Sequence, residues 1–76
     1  MTTLELHKKL QSLGYTLTMD NFFDYLIYFE GVPVATVSYI YVASIGFFNE
    51  EVLSDEKRAE LLKILSEYTL TPIDER

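Results

Sequence analysis

The first apolar residues of the chain follow the repeat of an amphipathic helix. Leucines recur at i, i+4 and i+7 between positions 6 and 13. Thr2 precedes Glu5 by three residues, which is the spacing of a capping box. Gly14 follows the last apolar position, where a left-handed C-terminal cap favours glycine. The pattern predicts a helix over residues 3–13.

After this helix the apolar period changes to two, which is typical of strands with one drier face. The alternation predicts strands over residues 15–19 and 22–30. Gly31 permits the positive φ of a hairpin turn, and Pro33 has no N–H to give to a ladder. We therefore expect the chain to reverse here and to return antiparallel as a strand over residues 34–39.

The remaining residues are predicted to form one more short strand, a helix and a tail. Residues 40–45 are a fourth strand or an extension of the third. Ser54 is a good N-cap, and the apolar stripe that follows it predicts a helix over residues 55–68. Pro72 prevents this helix from continuing far. We expect the polar tail, residues 69–76, to be loosely held.

The order of helix, consecutive strands and helix indicates an α+β fold. The strands form an antiparallel meander of three to four members, and both helices lie on one face of this sheet. A chain of 76 residues has room for one core, so residues 1–76 are interpreted as a single domain.

Residues 31–48 contain no charge, and a run of about 18 apolar residues is the lower limit for a membrane-spanning helix. Pro33, Gly46 and several hydroxyl side chains interrupt the run, and its β-branched and aromatic residues favour strands. The strand interpretation is preferred, and no contact with a membrane is expected.

The composition limits the partners and the compartment. A net charge of −6 repels phosphate, so direct binding of nucleic acid is disfavoured. The absence of cysteine excludes disulfides and thiolate zinc sites. The first ten residues include Glu5, His7, Lys8 and Lys9 and so lack the apolar core of a secretory signal. We expect a cytoplasmic protein.

No residue pattern predicts catalysis or a cofactor. His7 is the only histidine and has no evident partner for acid–base chemistry. The serines lack a nucleophile elbow, and three glycines cannot build a phosphate-binding loop. The protein is therefore predicted to be non-enzymatic, with no catalytic, cofactor-binding or metal-binding residues.

Two groups of side chains are candidates for interaction surfaces. Acidic residues around the start of the second helix form a candidate acidic face whose spacing does not match a calcium loop; they are Glu50, Glu51, Asp55, Glu56 and Glu60. Aromatic residues exceed what two short helices can cover, and some of them are expected to contact a partner or a second copy of the chain. These are Tyr25, Tyr28, Tyr39, Tyr41, Phe47 and Phe48.

The C-terminal third resembles the ends of small proteins from phages and prophages of Gram-positive bacteria. Residues 53–62 read Leu-Ser-Asp-Glu-Lys-Arg-Ala-Glu-Leu-Leu, and residues 68–76 read Tyr-Thr-Leu-Thr-Pro-Ile-Asp-Glu-Arg. Those proteins commonly end a helix with Tyr-x-x-Thr-Pro-(Ile/Leu)-(Asp/Glu)-Glu-Arg, whereas many continue with a charged segment beyond the position of Arg76. The resemblance implies a viral accessory protein and carries over no catalytic residue.

Two functions follow as hypotheses. The first is a phage or prophage accessory protein that works by protein–protein contact, with a host or phage protein or as a homodimer joined through the open sheet face or an edge strand. The alternative is an acidic anti-defence inhibitor that occupies the nucleic-acid site of a host nuclease.

Overall fold

A computed structural model describes residues 1–20 and 23–76, without the side chains of Asp20 and Glu50. The elements in chain order are α1 (Thr3–Ser12), β1 (Tyr15–Asp20), β2 (Asp24–Phe29), β3 (Val32–Ser38), β4 (Ile45–Phe47) and α2 (Asp55–Thr69), with single 3-10 turns at Glu50–Val52 and Ile73–Glu75. The strands form one sheet in the order β1-β2-β3-β4, and every neighbouring pair is antiparallel. The α+β meander predicted from the sequence is confirmed.

The capping box at the start of α1 forms as its sequence predicts. The Glu5 amide donates to Thr2 Oγ1 at 3.1 Å, and the Thr2 amide donates to Glu5 Oε1 at 2.8 Å. The helix ends at Ser12, one residue before the predicted end, because Leu13 already has the geometry of a C-cap. Gly14 follows with a φ of 92°, a conformation that favours glycine.

The strand predicted over residues 22–30 is shorter in the structure, where β2 spans Asp24–Phe29. Phe22 lies outside the described residues. At the other end, Glu30 and Gly31 have φ values of 51° and 80°, the two positive values of a tight hairpin turn. Glu30 therefore belongs to the turn.

The third strand begins at Val32, two residues before its predicted start, because Pro33 is accommodated at a bulge. The β2–β3 register passes from Ile27 opposite Ala35 to Tyr28 opposite Pro33, so Val34 is the extra residue of β3. A bulge is one of the few places in a sheet that tolerates a residue without an N–H. Reversal of the chain therefore depends on the Glu30–Gly31 turn and not on the proline.

The strand predicted over residues 40–45 is wrong for most of its length, since β4 spans Ile45–Phe47. The backbone turns instead of continuing β3, because Ser38 Oγ accepts from the amides of Ile40 at 3.2 Å and Tyr41 at 2.9 Å. A hydroxyl that binds nearby amides in this way competes with the ladder of a sheet.

The same loop is then attached to the end of α2. The Ala43 amide donates to the Thr69 carbonyl at 3.1 Å, and the Ser44 amide donates to Thr69 Oγ1 at 3.0 Å. Ala43 has a φ of 59°, which is incompatible with a strand. The amides that a strand would give to its neighbour are given to the helix.

Both helices pack on one face of the sheet, and the core lies between the two layers. Among the described residues, the buried side chains of this core are Leu6, Leu10, Tyr15, Ile27, Val34, Ala35, Val37, Leu53, Leu61, Ile64, Leu65 and Tyr68. The Ser54 hydroxyl accepts from the Lys57 amide at 3.2 Å and caps α2, which ends at Thr69, one residue beyond its predicted end.

The tail is held in place, contrary to expectation, by the Arg76 side chain. Its guanidinium donates to the carbonyl oxygens of Thr69 at 2.6 Å, Thr71 at 2.9 Å and Ser38 at 3.0 Å. It also lies over the Tyr68 ring, 4.8 Å from the centroid. One arginine therefore joins the tail to the end of α2 and to the end of β3.

The uncharged run of residues 31–48 forms β3, the following loop and β4. Within residues 1–20 and 23–76, no helix has the length and apolar character needed to cross a membrane.

Candidate functional site

The single histidine lies against a tyrosine ring. His7 is half-buried on α1, and its ring meets the Tyr25 ring edge-on, with centroids 5.1 Å apart. Across the described part of the chain, no three His, Asp or Glu side chains are grouped so that they could hold a metal ion. The histidine therefore packs against an aromatic ring and belongs to no cluster of ligands.

The six aromatic residues expected to form an interaction surface lie in separate places. Tyr25 and Tyr39 are on the helix side of the sheet, with ring centroids 5.6 Å apart, and both pack against the core. Burial raises the pKa of Tyr25, and the phenols of Tyr68 and Tyr39 add to the effect. These two rings support the fold.

Tyr28 lies opposite Thr16 and Pro33. Strand alternation places it on the face away from the helices, where it is half-buried. Phe48 follows β4 and is 36% exposed. Tyr28 is therefore a ring of this set that strand alternation assigns to the open face of the sheet.

Tyr41 belongs to a group of exposed apolar side chains at one end of the molecule. Its ring is 57% exposed and meets the Phe23 ring at a centroid distance of 6.1 Å. Val42 is next in the chain, and Leu70 lies just beyond the Thr69 backbone that binds this loop. We name Phe23, Tyr41, Val42 and Leu70 the loop-end patch.

The interaction surface predicted from the sequence does not contain Phe23 or Leu70. Phe23 alternates with Tyr25 and was expected to lie within a strand, but it stands in the turn before β2. Leu70 is next to a proline-containing tail that gave no apolar period. The exposure of both follows from where the strands and helix end.

Phe47 lines a small groove between β4 and α2. The other lining residues are Arg58, Ala59 and Leu62, and the groove has a volume of about 170 Å³. Leu62 is 49% exposed although it is a large apolar residue. We name these four residues the edge groove. Leu62 was missed because it stands next to the buried stripe of α2 and not in it.

The acidic residues divide between two places. Glu51, Asp55 and Glu56 are exposed around the start of α2, and Asp55 forms an ion pair with Arg58. The side chain of Glu50 lies outside the description.

Glu60 faces a different part of the surface, where it lines a cleft with Lys9, Lys63 and Glu67. Lysines on both helices therefore offset its charge. The five residues proposed as one acidic face contribute at most a patch at the start of α2, separate from Glu60.

Comparison of the chain with known protein families, with curated proteins and with solved structures finds no match.

Proposed function

We propose that this chain is a non-enzymatic phage or prophage accessory protein that acts through protein–protein contacts. The observation that carries the proposal is the loop-end patch, in which Tyr41 and Val42 are each more than half exposed. Exposed apolar side chains that lie together mark interaction sites on small proteins more often than single exposed ones do. The resemblance of residues 68–76 to the ends of phage proteins supports the viral context.

The composition of the patch fits a protein partner better than a nucleic acid or a membrane. Aromatic residues are enriched at protein interfaces. Stacking on nucleic-acid bases would require a basic surround, whereas the chain carries a net charge of −6. The same charge opposes attachment to an anionic lipid surface.

A second candidate function rests on the carboxylates at the start of α2. Glu51 and Glu56 are exposed there, and charge on such a surface can take the place of nucleic-acid phosphates. This function is an acidic anti-defence inhibitor that occupies the nucleic-acid site of a host nuclease. Its binding would weaken steeply with added salt.

Affinity capture from phage-infected host cells tests the proposal. The wild-type chain is compared with Tyr41→Ser, which removes the exposed ring, and with Met19→Ser, which removes an exposed apolar side chain from β1. We expect Tyr41→Ser to lose the retained protein and Met19→Ser to keep it. Sedimentation at two concentrations identifies a second copy of the chain as the partner.

Three results decide between the candidates. Capture that survives high salt and depends on Tyr41 supports contact through the patch. Capture that disappears with salt and with Glu56→Gln supports the acidic inhibitor instead. Equal capture by all variants, with a monomer at every concentration, contradicts a role for the patch.

A further inference from the structure

The outer edge of β4 presents backbone groups that the sheet does not use. The Ser38 amide donates to the Ser44 carbonyl at 3.1 Å, and the Phe48 amide donates to the Val34 carbonyl at 3.0 Å. The Ser44 carbonyl and the Phe48 amide therefore point toward β3. By the alternation of antiparallel ladders, Gly46 does the same.

Ile45 and Phe47 have the opposite orientation. Each forms a non-hydrogen-bonded pair with a residue of β3, so its own N–H and C=O point away from β3. These groups therefore lie along the free edge of the sheet. The edge thus offers two donors and two acceptors in strand geometry. A row of this kind is a template for another strand.

The edge groove lies beside these groups on the helix side. Phe47, Ala59 and Leu62 give it an apolar lining, and its volume is about 170 Å³. Cavities of about 150 Å³ are large enough to hold a benzene ring. One branched aliphatic or aromatic side chain of an added strand would fill the groove.

The exposure of Leu62 is explained by the same arrangement. It belongs to α2, whose buried face covers the sheet, yet Leu62 remains 49% exposed where it lines the groove with Phe47 of the last strand. A further strand would lie about 4.8 Å beyond β4 and would cover this leucine. The groove residues on α2 are therefore available to a side chain of that strand.

Charge around the edge selects the occupant. The chain leaves β4 through a 3-10 turn into α2, so the exposed Glu51, Asp55 and Glu56 follow the edge strand closely in sequence. Arg58, which lines the groove, is paired with Asp55. A second copy of the chain would bring a like set of carboxylates to the same interface. A segment with lysine or arginine beside its apolar residue would meet opposite charge.

We propose that β4 binds an extended segment of a partner protein by strand addition, with one apolar side chain in the edge groove and basic residues facing the carboxylates at the start of α2. The proposal rests on the protein–protein function given above and names the chemistry of the partner. Since β4 has only three residues, the contact is of the small, transient class.

The probe is a panel of short synthetic peptides that alternate threonine with Leu, Val or Phe and carry lysines at both ends. The matched control peptide has the same sequence with N-methyl groups on alternate residues, which blocks strand pairing on one edge. We expect the unmodified peptides to bind and the methylated peptides to lose at least tenfold in affinity. Failure of the whole panel to bind at millimolar concentration would overturn the proposal.

Variants of the chain locate the binding. Leu62→Gln removes an apolar wall of the groove, and Leu4→Gln makes the same change at a leucine on α1 that is 64% exposed. We expect about tenfold weaker binding for Leu62→Gln, which corresponds to about 1.4 kcal/mol. Leu4→Gln should stay within twofold of wild type. Equal losses in the two variants would contradict the assignment.

A second pair of variants tests the charge. Glu56→Gln removes a carboxylate at the start of α2, and Glu67→Gln removes an exposed carboxylate elsewhere on the same helix. We expect the first to weaken binding at low salt and the second to leave it unchanged. Backbone chemical-shift changes on adding peptide should centre on β4, and a footprint centred elsewhere would overturn the proposal.

The outcomes separate this proposal from the general function. If Leu62→Gln abolishes a concentration-dependent dimer of the free chain, the edge belongs to a second copy and the peptide proposal is wrong. If the peptides fail while capture from cells still depends on Tyr41, the edge proposal is lost and the function through the loop-end patch stands.

Discussion

Two buried phenols differ in how their hydroxyl groups are satisfied. Tyr68 Oη shares a hydrogen bond with Thr3 Oγ1 at 2.8 Å. The Tyr15 hydroxyl is buried with no hydrogen-bond partner among the described residues. Burial raises the pKa of Tyr15, and the nearby Glu60 carboxylate adds to the effect. The two residues therefore make a matched pair for phenylalanine substitution.

We expect Tyr68→Phe to lower the free energy of unfolding by about 1 kcal/mol, because it removes a satisfied hydrogen bond. Tyr15→Phe should leave stability at neutral pH unchanged or slightly higher, since a buried hydroxyl without a partner costs desolvation. Urea unfolding of both variants measures the difference. A larger loss for Tyr15→Phe would show that its hydroxyl has a stabilising partner.

The same pair predicts behaviour in alkali. The folded-state pKa of Tyr15 is raised, so its contribution to stability is complete below the ordinary phenol pKa and is lost as pH rises through the folded value. Tyr15→Phe should therefore resist alkaline unfolding better than wild type. If wild type and Tyr15→Phe lost stability equally as pH rises, the alkaline prediction for Tyr15 would be wrong.

Among the helices and strands, sequence patterns correctly predicted the features that depend on contacts between residues close in sequence. The capping box of Thr2 and Glu5 and the alternation in β1 and β2 both depend on residues close in sequence. The loop of residues 40–44 contains β-branched and aromatic residues and was therefore expected to be a strand. Its first turn depends on the nearby Ser38 hydroxyl, but Ser44 is bound to Thr69, 25 positions away, and no local pattern could show that contact.

The tail illustrates the same limit. The polar residues of the tail show no pattern that predicts order. The tail is fixed by the Arg76 side chain, which binds the carbonyl groups of Ser38 and Thr69. The Ser38 contact spans 38 positions. Only the fold brings these acceptors together.

We predict that Arg76→Ala lowers the free energy of unfolding by about 2 kcal/mol, because charged donors to carbonyl groups are worth more than neutral ones. Arg76→Lys should recover only part of the loss, since an ammonium cannot reproduce the planar fork. Glu75→Ala, an exposed neighbour, serves as the control in urea unfolding. Equal stability of wild type and Arg76→Ala would show that the contacts of Arg76 with the ends of α2 and β3 do not stabilise the fold.

At the scale of the whole molecule, the predicted two-layer fold is confirmed, but the surplus aromatic residues are not gathered on its open face. Tyr25, Tyr39 and Phe47 pack against the core, whereas Tyr41 is 57% exposed in the loop after β3. Composition alone could count the rings that two helices cannot cover. It could not assign them, because exposure depends on where each strand stops.

The sequence likewise does not locate the free edge of β4, because its pattern predicts the fourth strand over residues 40–45 and β4 spans Ile45–Phe47. The edge is defined by the register with β3, and the groove beside it is lined by Phe47 and by residues of α2. Both features place unused backbone groups beside an apolar groove. The proposed binding of an extended partner segment depends on that arrangement.

Amide hydrogen exchange of the free chain at low concentration tests it most directly. The Ile45 and Phe47 amides should exchange quickly, while the Gly46 amide between them, directed toward β3, should be protected. Slow exchange at all three amides would mean that the outer edge is already covered, and the proposed site on β4 would be wrong.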